Sequence, residues 1–300
     1  MTHFGVYLRG LLMGAADIVP GVSGGTMAFI TGIYDRLLGS IRAFDLHCLR
    51  LLWQGRTGEA WRHVDGGFLL ALLLGIFTSI LSLARLVSWL LADYPVPLWA
   101  FFFGLILASA LVLSRQVSPW TPVRVSCLLV GLLVAAGIAL SPVVALAPGL
   151  PGIFIAGFIA ICAMILPGIS GSFILILLGM YGPVLNAVKN LELEVMAVFA
   201  LGAGLGLICF SRILHWLLHH YHVATMALLT GFLFGSLLVV WPWKHALGWV
   251  LGNDGELRPV QQVPVWPWDF AAEALLLPCL ALMVVGFALV WLVDRRWGDG

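Results

Sequence analysis

Apolar residues occur in long runs along this chain, and short polar stretches separate them. Between Val125 and Val188, 64 consecutive residues contain no Asp, Glu, Lys, Arg or His, whereas one membrane-spanning helix needs about 20 residues. The pattern therefore predicts an all-α polytopic membrane protein. Its predicted spans are residues 67–91, 96–114, 123–141, 195–218, 223–242 and 270–293.

Two further apolar segments are interrupted by the same short motif. Residues 16–26 are ADIVPGVSGGT and residues 163–173 are AMILPGISGSF. Proline ends a helix, and a serine that follows can cap the next one. In a bilayer, such a break is tolerated only where it is buried in protein or lines a cavity. We therefore predict a re-entrant helical hairpin before each set of three spans.

The two motifs belong to an internal repeat. At an offset of 147 residues, six positions recur: Pro20, Gly21, Ser23, Gly24, Gly32 and Tyr34 match Pro167, Gly168, Ser170, Gly171, Gly179 and Tyr181. At an offset of 127, the block that starts at Arg85 recurs from Arg212. A polar cytoplasmic insert at about 42–65, a loop that can contain a short interfacial helix, accounts for the difference. We predict one membrane domain over residues 1–300, with repeat one at about 1–145 and repeat two at about 149–296.

The order of crossings predicts the orientation of the repeats. A hairpin enters and leaves on one side, so three further crossings invert repeat two relative to repeat one. Arginine and lysine residues favour the cytoplasmic side, and the predicted loops on the side of the N-terminus hold more of them. That side has Arg36, Arg42, Arg50, Arg56, Arg62, Arg115, Arg124, Arg295 and Arg296, and the other has Lys189, Lys244 and Arg258. Both termini are therefore predicted to be cytoplasmic.

Composition excludes several other classes of protein. Hydrophobic residues make up 62% of the chain and charged residues 10%, against about 25% charged in soluble domains. The net charge of +1 gives no reason to expect a nucleic-acid partner. The five cysteines are scattered singly, so they indicate neither disulfides nor a metal site. His215, His219 and His222 share a helical face, but the other repeat has no matching histidines, so we predict no metal or cofactor.

The helix that restarts after each break is the candidate binding site. Its free amides, its dipole and small hydroxyl side chains attract a phosphate or carboxylate. The alternative is that the motif only kinks and caps a helix, but two copies in inverted halves favour a ligand site. The candidate substrate-binding residues are Ser23, Gly24, Gly25, Thr26, Ser170, Gly171 and Ser172.

Three charged residues in apolar segments complete the candidate site. Arg85 and Arg212 occupy matching positions, and an arginine there needs a partner or a route to water. They are candidate phosphate ligands, although both could instead extend to the headgroup layer. Asp17 precedes the first break, where the second has Met164. It could carry a coupling proton, or it could cap or salt-bridge the break.

The motif DIVPGVSGGTMAFITGIYDRL from Asp17, with PGISGSF near mid-chain, resembles the bacterial polyprenyl-phosphate translocase family (PopT), formerly a family of unknown function. The likeness covers nearly the whole chain, and Phe173 stands where the first motif has Thr26. The resemblance implies a plasma-membrane transporter that returns undecaprenyl phosphate from the outer to the cytoplasmic leaflet. It implies a lipid substrate and no catalytic residue, and the sequence is compatible with a homo-oligomer.

The predicted repeat and the family resemblance both indicate alternating access, in which two inverted repeats open a central site to either face in turn. We expect the phosphate to bind at the hairpin tips while the prenyl chain stays in lipid. Arg85 would assist capture on the outer side and Arg212 release on the inner side.

Two alternatives belong to other functional classes. Intramembrane undecaprenyl-pyrophosphate phosphatases resemble this layout, but they need an arginine directly after the motif serine and an E-x-x-x-E pair. Here Gly24 and Gly171 follow the serines, and no E-x-x-x-E occurs. A small-anion transporter could use the same tips.

Overall fold

The computed structural model describes residues 2–18, 23–147, 149–251 and 257–297. Its helices are α1 (His3–Asp17), α2 (Gly24–Ile30), α3 (Tyr34–Arg42), α4 (Leu46–Trp53), α5 (Thr57–His63), α6 (Gly66–Asp93), α7 (Pro95–Gln116), α8 (Pro122–Leu140), α9 (Leu150–Ile165), α10 (Gly171–Leu177), α11 (Tyr181–Lys189), α12 (Leu193–His220), α13 (His222–Ser236) and α14 (Leu276–Trp297). A short 3-10 helix covers Pro267–Asp269. Pro20 and Gly21 of the first motif lie outside the described residues, as do the side chains of Arg258 and Arg296.

The protein is a multi-pass helical membrane protein, as predicted. Among the described residues, five helices (α6, α7, α8, α12 and α14) are long and apolar enough to cross a membrane, or six spans if the bent pair α10 and α11 counts as one. Helices α6, α7, α8 and α12 begin and end within two residues of the predicted spans. Their exposed leucine, valine and phenylalanine side chains form the surface that faces lipid.

The last two predicted spans differ from the structure at the end of α13 and at the start of α14. Helix α13 ends at Ser236 rather than near residue 242, and α14 begins at Leu276 rather than near residue 270. Pro278 explains the late start of α14, because proline is tolerated in the first turn of a helix but not in its interior. The residues between the two helices form a separate structure.

That structure is a β-hairpin, which the sequence analysis did not predict. Strands β1 (Lys244–Leu251) and β2 (Leu257–Pro264) pair antiparallel. The indole nitrogens of Trp241 and Trp243 donate hydrogen bonds of 2.9 and 2.8 Å to the carbonyls of Val265 and Ala274. Both hydrogen bonds fix the hairpin to the segment before α14.

The polar insert contains two short helices, α4 and α5. They pack on each other through a small cluster of buried side chains: Cys48, Leu51, Ala60 and Val64. Asp45 caps α4 by accepting a 2.9 Å hydrogen bond from the amide of Cys48. The insert is therefore a compact helix pair between α3 and α6.

Three helix pairs approach each other at glycines. In the α1 and α6 pair, Gly10 lies against the Leu72 carbonyl and Gly14 against the Ile76 carbonyl, where an added Cβ would be 2.6 Å from the oxygen. Small residues at such spacing let membrane helices pack backbone to backbone. Both contacts advance by four residues, so the two helices run parallel. The same four-residue spacing of contacts occurs in two other parallel pairs. In α9 and α12, Gly202 and Gly206 lie against the carbonyls of Phe154 and Phe158. In α8 and α13, Gly231 and Gly235 lie against the carbonyls of Leu128 and Leu132.

Helices α7 and α14 form a fourth parallel pair. Gly104 lies against the Met283 carbonyl, and further along both helices the Arg115 guanidinium lies 4.1 Å from the centre of the Trp291 ring. The third span of each half therefore packs on the second span of the other half, α14 on α7 and α8 on α13. Helices α7 and α13 also contact each other in the centre, which interlocks the two halves.

The hairpins have the same internal turn. Helices α2 and α10 each have seven residues, and each ends at a glycine with positive φ, 69° at Gly32 and 67° at Gly179. Only glycine adopts this left-handed conformation without strain. The chain then bends into α3 or α11, by 112° in the second hairpin. The turn after α2 and the turn after α10 therefore share a left-handed glycine.

Candidate functional site

The two hairpins touch through three hydrogen bonds near their tips, which are the breaks before α2 and before α10. Ser23 Oγ donates to the Met164 carbonyl at 2.9 Å, and the Tyr34 hydroxyl donates to the Ile165 carbonyl at 3.0 Å. The third bond, from the Gly168 amide to Thr26 Oγ1, is 3.0 Å long and buried. Side-chain hydrogen bonds inside a membrane protein contribute about 0.6 kcal/mol each on average, so these bonds join the tips without locking them together.

The first tip carries its own anion. Asp17 Oδ1 accepts a 2.7 Å hydrogen bond from the Gly24 amide at the start of α2. Ser23 caps the same helix by accepting a 3.1 Å bond from the Gly25 amide. A Cβ added at Gly24 would lie 2.5 Å from Asp17 Oδ2, so a larger residue there would displace the carboxylate. The carboxylate thus occupies the place at the amides that a ligand anion would otherwise take.

The second tip has no carboxylate at the matching position. Ser170 begins α10 without a side-chain cap bond, and its Oγ lies 2.8 Å from Ser172 Oγ. Met164 stands where the first half has Asp17. In the described part of the chain, no group accepts a hydrogen bond from the Gly171 amide. The two tips therefore share their backbone course but differ in charge.

A cavity of about 280 Å³ lies beside the second tip. Asp17, Ser170 and Ser172 form its polar end, and Ile161 and Phe199 are among the apolar residues of its walls. The walls come from α9, α10 and α12, so both arms of the second hairpin line it. A cavity with a few polar groups at one end and apolar walls suits a ligand that has both characters.

The structure divides the predicted site residues into three groups. Ser170, Gly171, Ser172 and Asp17 line this cavity. Ser23 and Thr26 are buried and bond to the second hairpin, while Gly24 and Gly25 donate their amides within the first tip. Arg85 and Arg212 are exposed on α6 and α12 and do not line this cavity. The arginines are therefore apart from the tips.

Two residues of the first hairpin were not among the predicted site residues. Arg9 is 8% exposed in α1, and its Nε donates a 3.0 Å hydrogen bond to the Thr31 carbonyl at the end of α2. An arginine in an apolar arm was the available signal. Tyr34 recurs as Tyr181 in the repeat, and that recurrence was the signal for its structural importance.

Tyr34 also lines a second cavity, of about 120 Å³, together with Asp35, Gln116 and His222. The tyrosine is 4% exposed, and its ring lies 4.9 Å from that of Phe29. One buried side chain therefore connects this smaller, more polar cavity with the contact between the hairpin tips.

A family model and two bacterial relatives indicate the same protein family for this chain. Residues 13–258 match the family model described as VCA0040-like, undecaprenyl phosphate translocase-like. A polyprenyl-phosphate transporter of Vibrio cholerae serotype O1 is 48% identical over 296 residues, 97% of this chain and 96% of the relative. A polyprenyl-phosphate transporter of Staphylococcus aureus is 33% identical over 259 residues, 78% of this chain and 85% of the relative. No solved structure gives a significant match. The chain therefore belongs to the VCA0040-like family of undecaprenyl phosphate translocase-like proteins.

Proposed function

We propose that this protein transports polyprenyl phosphate across the bacterial plasma membrane, from the outer to the cytoplasmic leaflet. Two bacterial relatives, each matched over most of its length, are named polyprenyl-phosphate transporters. The multi-pass helical fold and the amphiphilic cavity at the hairpin tips support the same substrate class. Undecaprenyl phosphate is the member of this class that the family description names.

The phosphate binds at the polar end of the 280 Å³ cavity, against Ser170, Gly171 and Ser172. The observation that carries this assignment is the difference between the tips: Asp17 accepts from the Gly24 amide, whereas the matching Gly171 amide meets no acceptor within the described chain. Moving an anionic headgroup through hydrocarbon is prohibitive without such donors. The apolar walls then receive the part of the lipid next to the phosphate.

The first tip joins the site when the hairpins separate. Breaking the bonds of Ser23 and Thr26 to the second hairpin frees both hydroxyls. A phosphate between the tips can then meet donors from either hairpin, with Gly24 and Gly25 contributing amides once Asp17 withdraws. The contact between the tips is therefore the barrier that opens and closes.

Asp17 carries the proton that couples transport to a gradient. Its carboxylate lines the same cavity as Ser170 and Ser172, and like charges in a site of low dielectric repel strongly. A proton on Asp17 removes that repulsion when the phosphate binds and weakens the hold of the carboxylate on the Gly24 amide. Loss of the proton afterwards drives the phosphate out.

An inverted repeat supplies the two conformations. Repeat one, at about 1–145, and repeat two, at about 149–296, use matching parallel pairs, α1 with α6 and α9 with α12. If successive spans alternate in direction, the parallel packing of α8 with α13 and of α7 with α14 gives the two halves opposite orientations. The arginine count then places both termini and the helix pair of the insert in the cytoplasm.

Arg85 and Arg212 act away from the tips. Both are exposed on membrane-spanning helices, near predicted opposite faces of the bilayer, where an arginine can extend to the headgroup layer. Arg85 attracts the phosphate on the outer side, and Arg212 assists its release on the inner side.

Binding to the purified protein tests the substrate. A fluorescent short-chain polyprenyl phosphate should bind and should be displaced by unlabelled undecaprenyl phosphate but not by inorganic phosphate. Equal displacement by inorganic phosphate would favour a small-anion transporter. Release of inorganic phosphate from undecaprenyl pyrophosphate would favour a phosphatase, and absence of binding would contradict the proposal.

A further inference from the structure

A separate apolar cavity of about 260 Å³ lies beside the first hairpin, among α1, α2, α6, α7 and α14. Thr31 is the one polar residue in its lining, and the Thr31 hydroxyl already donates a 2.7 Å hydrogen bond to the Met27 carbonyl. The lining contains no charged side chain. A phosphate would find no donor here, so the cavity can hold only an apolar group.

The cavity is elongated. Its lining includes Leu98, near the start of α7, and Val293, near the end of α14. Gly104 of α7 lies against Met283 of α14, and these helices run parallel. Leu98 and Val293 are therefore separated by roughly 20 Å along the helix axes, at 1.5 Å per residue. A narrow apolar space of this length suits a chain rather than a compact molecule.

The apolar cavity adjoins the proposed headgroup site. Ala16 lines the apolar cavity, and the next residue, Asp17, lines the polar end of the other one. The end of α1 thus lies between the two cavities. Ala15 and Ala16 leave room on the hairpin side, while Phe101 and Phe102 form part of the opposite wall.

We propose that this cavity binds the first isoprene units of the polyprenyl chain while the phosphate is held at the hairpin tips. The inference rests on the proposed function and changes one expectation from the sequence, that the whole chain stays in bulk lipid. Because Met27 and Ile30 of α2 form part of the wall, movement of the first hairpin moves chain and headgroup together. The protein therefore recognises the isoprenoid as well as the phosphate.

A cavity-filling variant tests this site. Val290 is 2% exposed and lines the cavity, so Val290→Phe should weaken binding of undecaprenyl phosphate by about tenfold, as expected for overpacking a filled space. Dimethylallyl phosphate, whose single isoprene unit leaves most of the cavity empty, should bind as it does to the unmodified protein. The control is Leu292→Phe on the same helix, at a side chain that is 64% exposed; it should change neither ligand.

Three outcomes would overturn the proposal: Val290→Phe weakens the binding of neither ligand, it weakens the binding of both equally, or Leu292→Phe weakens the binding of undecaprenyl phosphate as much as Val290→Phe does. If the unmodified protein bound neither phosphate, the proposed function itself would fail, which is a different result.

Photolabelling of the unmodified protein avoids any dependence on the folding of a variant. A polyprenyl phosphate with a diazirine on its second isoprene unit should label α7 and α14, and unlabelled undecaprenyl phosphate should suppress that labelling. Suppression by phosphatidylglycerol to the same extent would mean that bilayer acyl chains occupy the cavity, and it would overturn the proposal. Labelling confined to lipid-facing residues such as Leu292 would do so as well.

Discussion

The amide of Gly168 donates a 3.0 Å hydrogen bond to the hydroxyl of Thr26, and it joins two hairpin tips whose residues are 142 positions apart in the chain. Ser23 makes the reciprocal kind of contact, from the first tip to the Met164 carbonyl of the second. In the proposed mechanism, a headgroup passes between the tips only after these two bonds and the bond of the Tyr34 hydroxyl to the Ile165 carbonyl break. The three bonds together hold the proposed barrier closed.

Thr26→Val removes the acceptor but keeps the shape of the side chain. The Gly168 amide is then left without its partner in a buried position, at a cost of about 1–3 kcal/mol. We expect a lower melting temperature in detergent, measured by thermal unfolding. Thr31→Val is the matched control, because its hydroxyl bonds to the Met27 and Ala28 carbonyls of α2 and, among the described residues, to none of the second hairpin. An equal decrease in melting temperature in both variants would contradict a stabilising role for the contact between the tips.

Asp17→Asn keeps an oxygen that can accept from the Gly24 amide but removes the ionisable group. If Asp17 carries the coupled proton, this variant should still bind polyprenyl phosphate but should no longer respond to a proton gradient. Transport into proteoliposomes with and without an imposed gradient measures the effect. A gradient response equal to that of the unmodified protein would exclude Asp17 from coupling.

Two glycines of α12 provide a matched pair of variants that tests the packing of α9 on α12. A Cβ at Gly206 would lie 2.7 Å from the Phe158 carbonyl, whereas one at Gly204 would meet nothing within 4 Å. Gly206→Ala should therefore destabilise the protein by about 1–3 kcal/mol. Gly204→Ala should be neutral or stabilising, because alanine favours a helix by up to about 1 kcal/mol over glycine. Thermal unfolding compares them, and equal effects would contradict the close packing of α9 on α12.

Arg85→Ala removes the positive charge proposed to attract the phosphate on the outer side. The expected result is slower uptake of polyprenyl phosphate from the outer leaflet, by up to about fivefold, because an exposed charge pair contributes about 0.2–1 kcal/mol. Arg85→Lys should retain part of the rate, since the charge remains. Unchanged transport in Arg85→Ala would remove this residue from the mechanism and would leave extension to the headgroup layer as its role.

The sequence predicted four of the spans well because their signals are local. Apolar runs place α6, α7, α8 and α12 to within two residues, and the repeated motif marks both breaks. The β-hairpin between α13 and α14 was not predicted, because its strands lie between aromatic residues that are also typical of a membrane surface. Its existence depends on contacts such as that of Trp243 with Ala274.

The site was predicted only in part, since its geometry depends on contacts distant in sequence. The pattern that singled out Ser23 and Thr26 could not indicate that their hydroxyls bond to the other hairpin. Nor could it indicate that the Asp17 carboxylate accepts a hydrogen bond from the Gly24 amide and also lines the cavity beside the second tip. The asymmetry between Asp17 and Met164 was visible in the sequence, but its consequence required the structure.

Movement of a labelled short-chain polyprenyl phosphate between the leaflets of proteoliposomes tests the central claim most directly. The unmodified protein should accelerate this movement far above that of empty vesicles, and a variant with Ser170→Ala and Ser172→Ala, still folded by its melting temperature, should lose most of the acceleration. Movement that the unmodified protein does not accelerate, or that the folded double variant accelerates equally, would contradict a phosphate site at the hairpin tips.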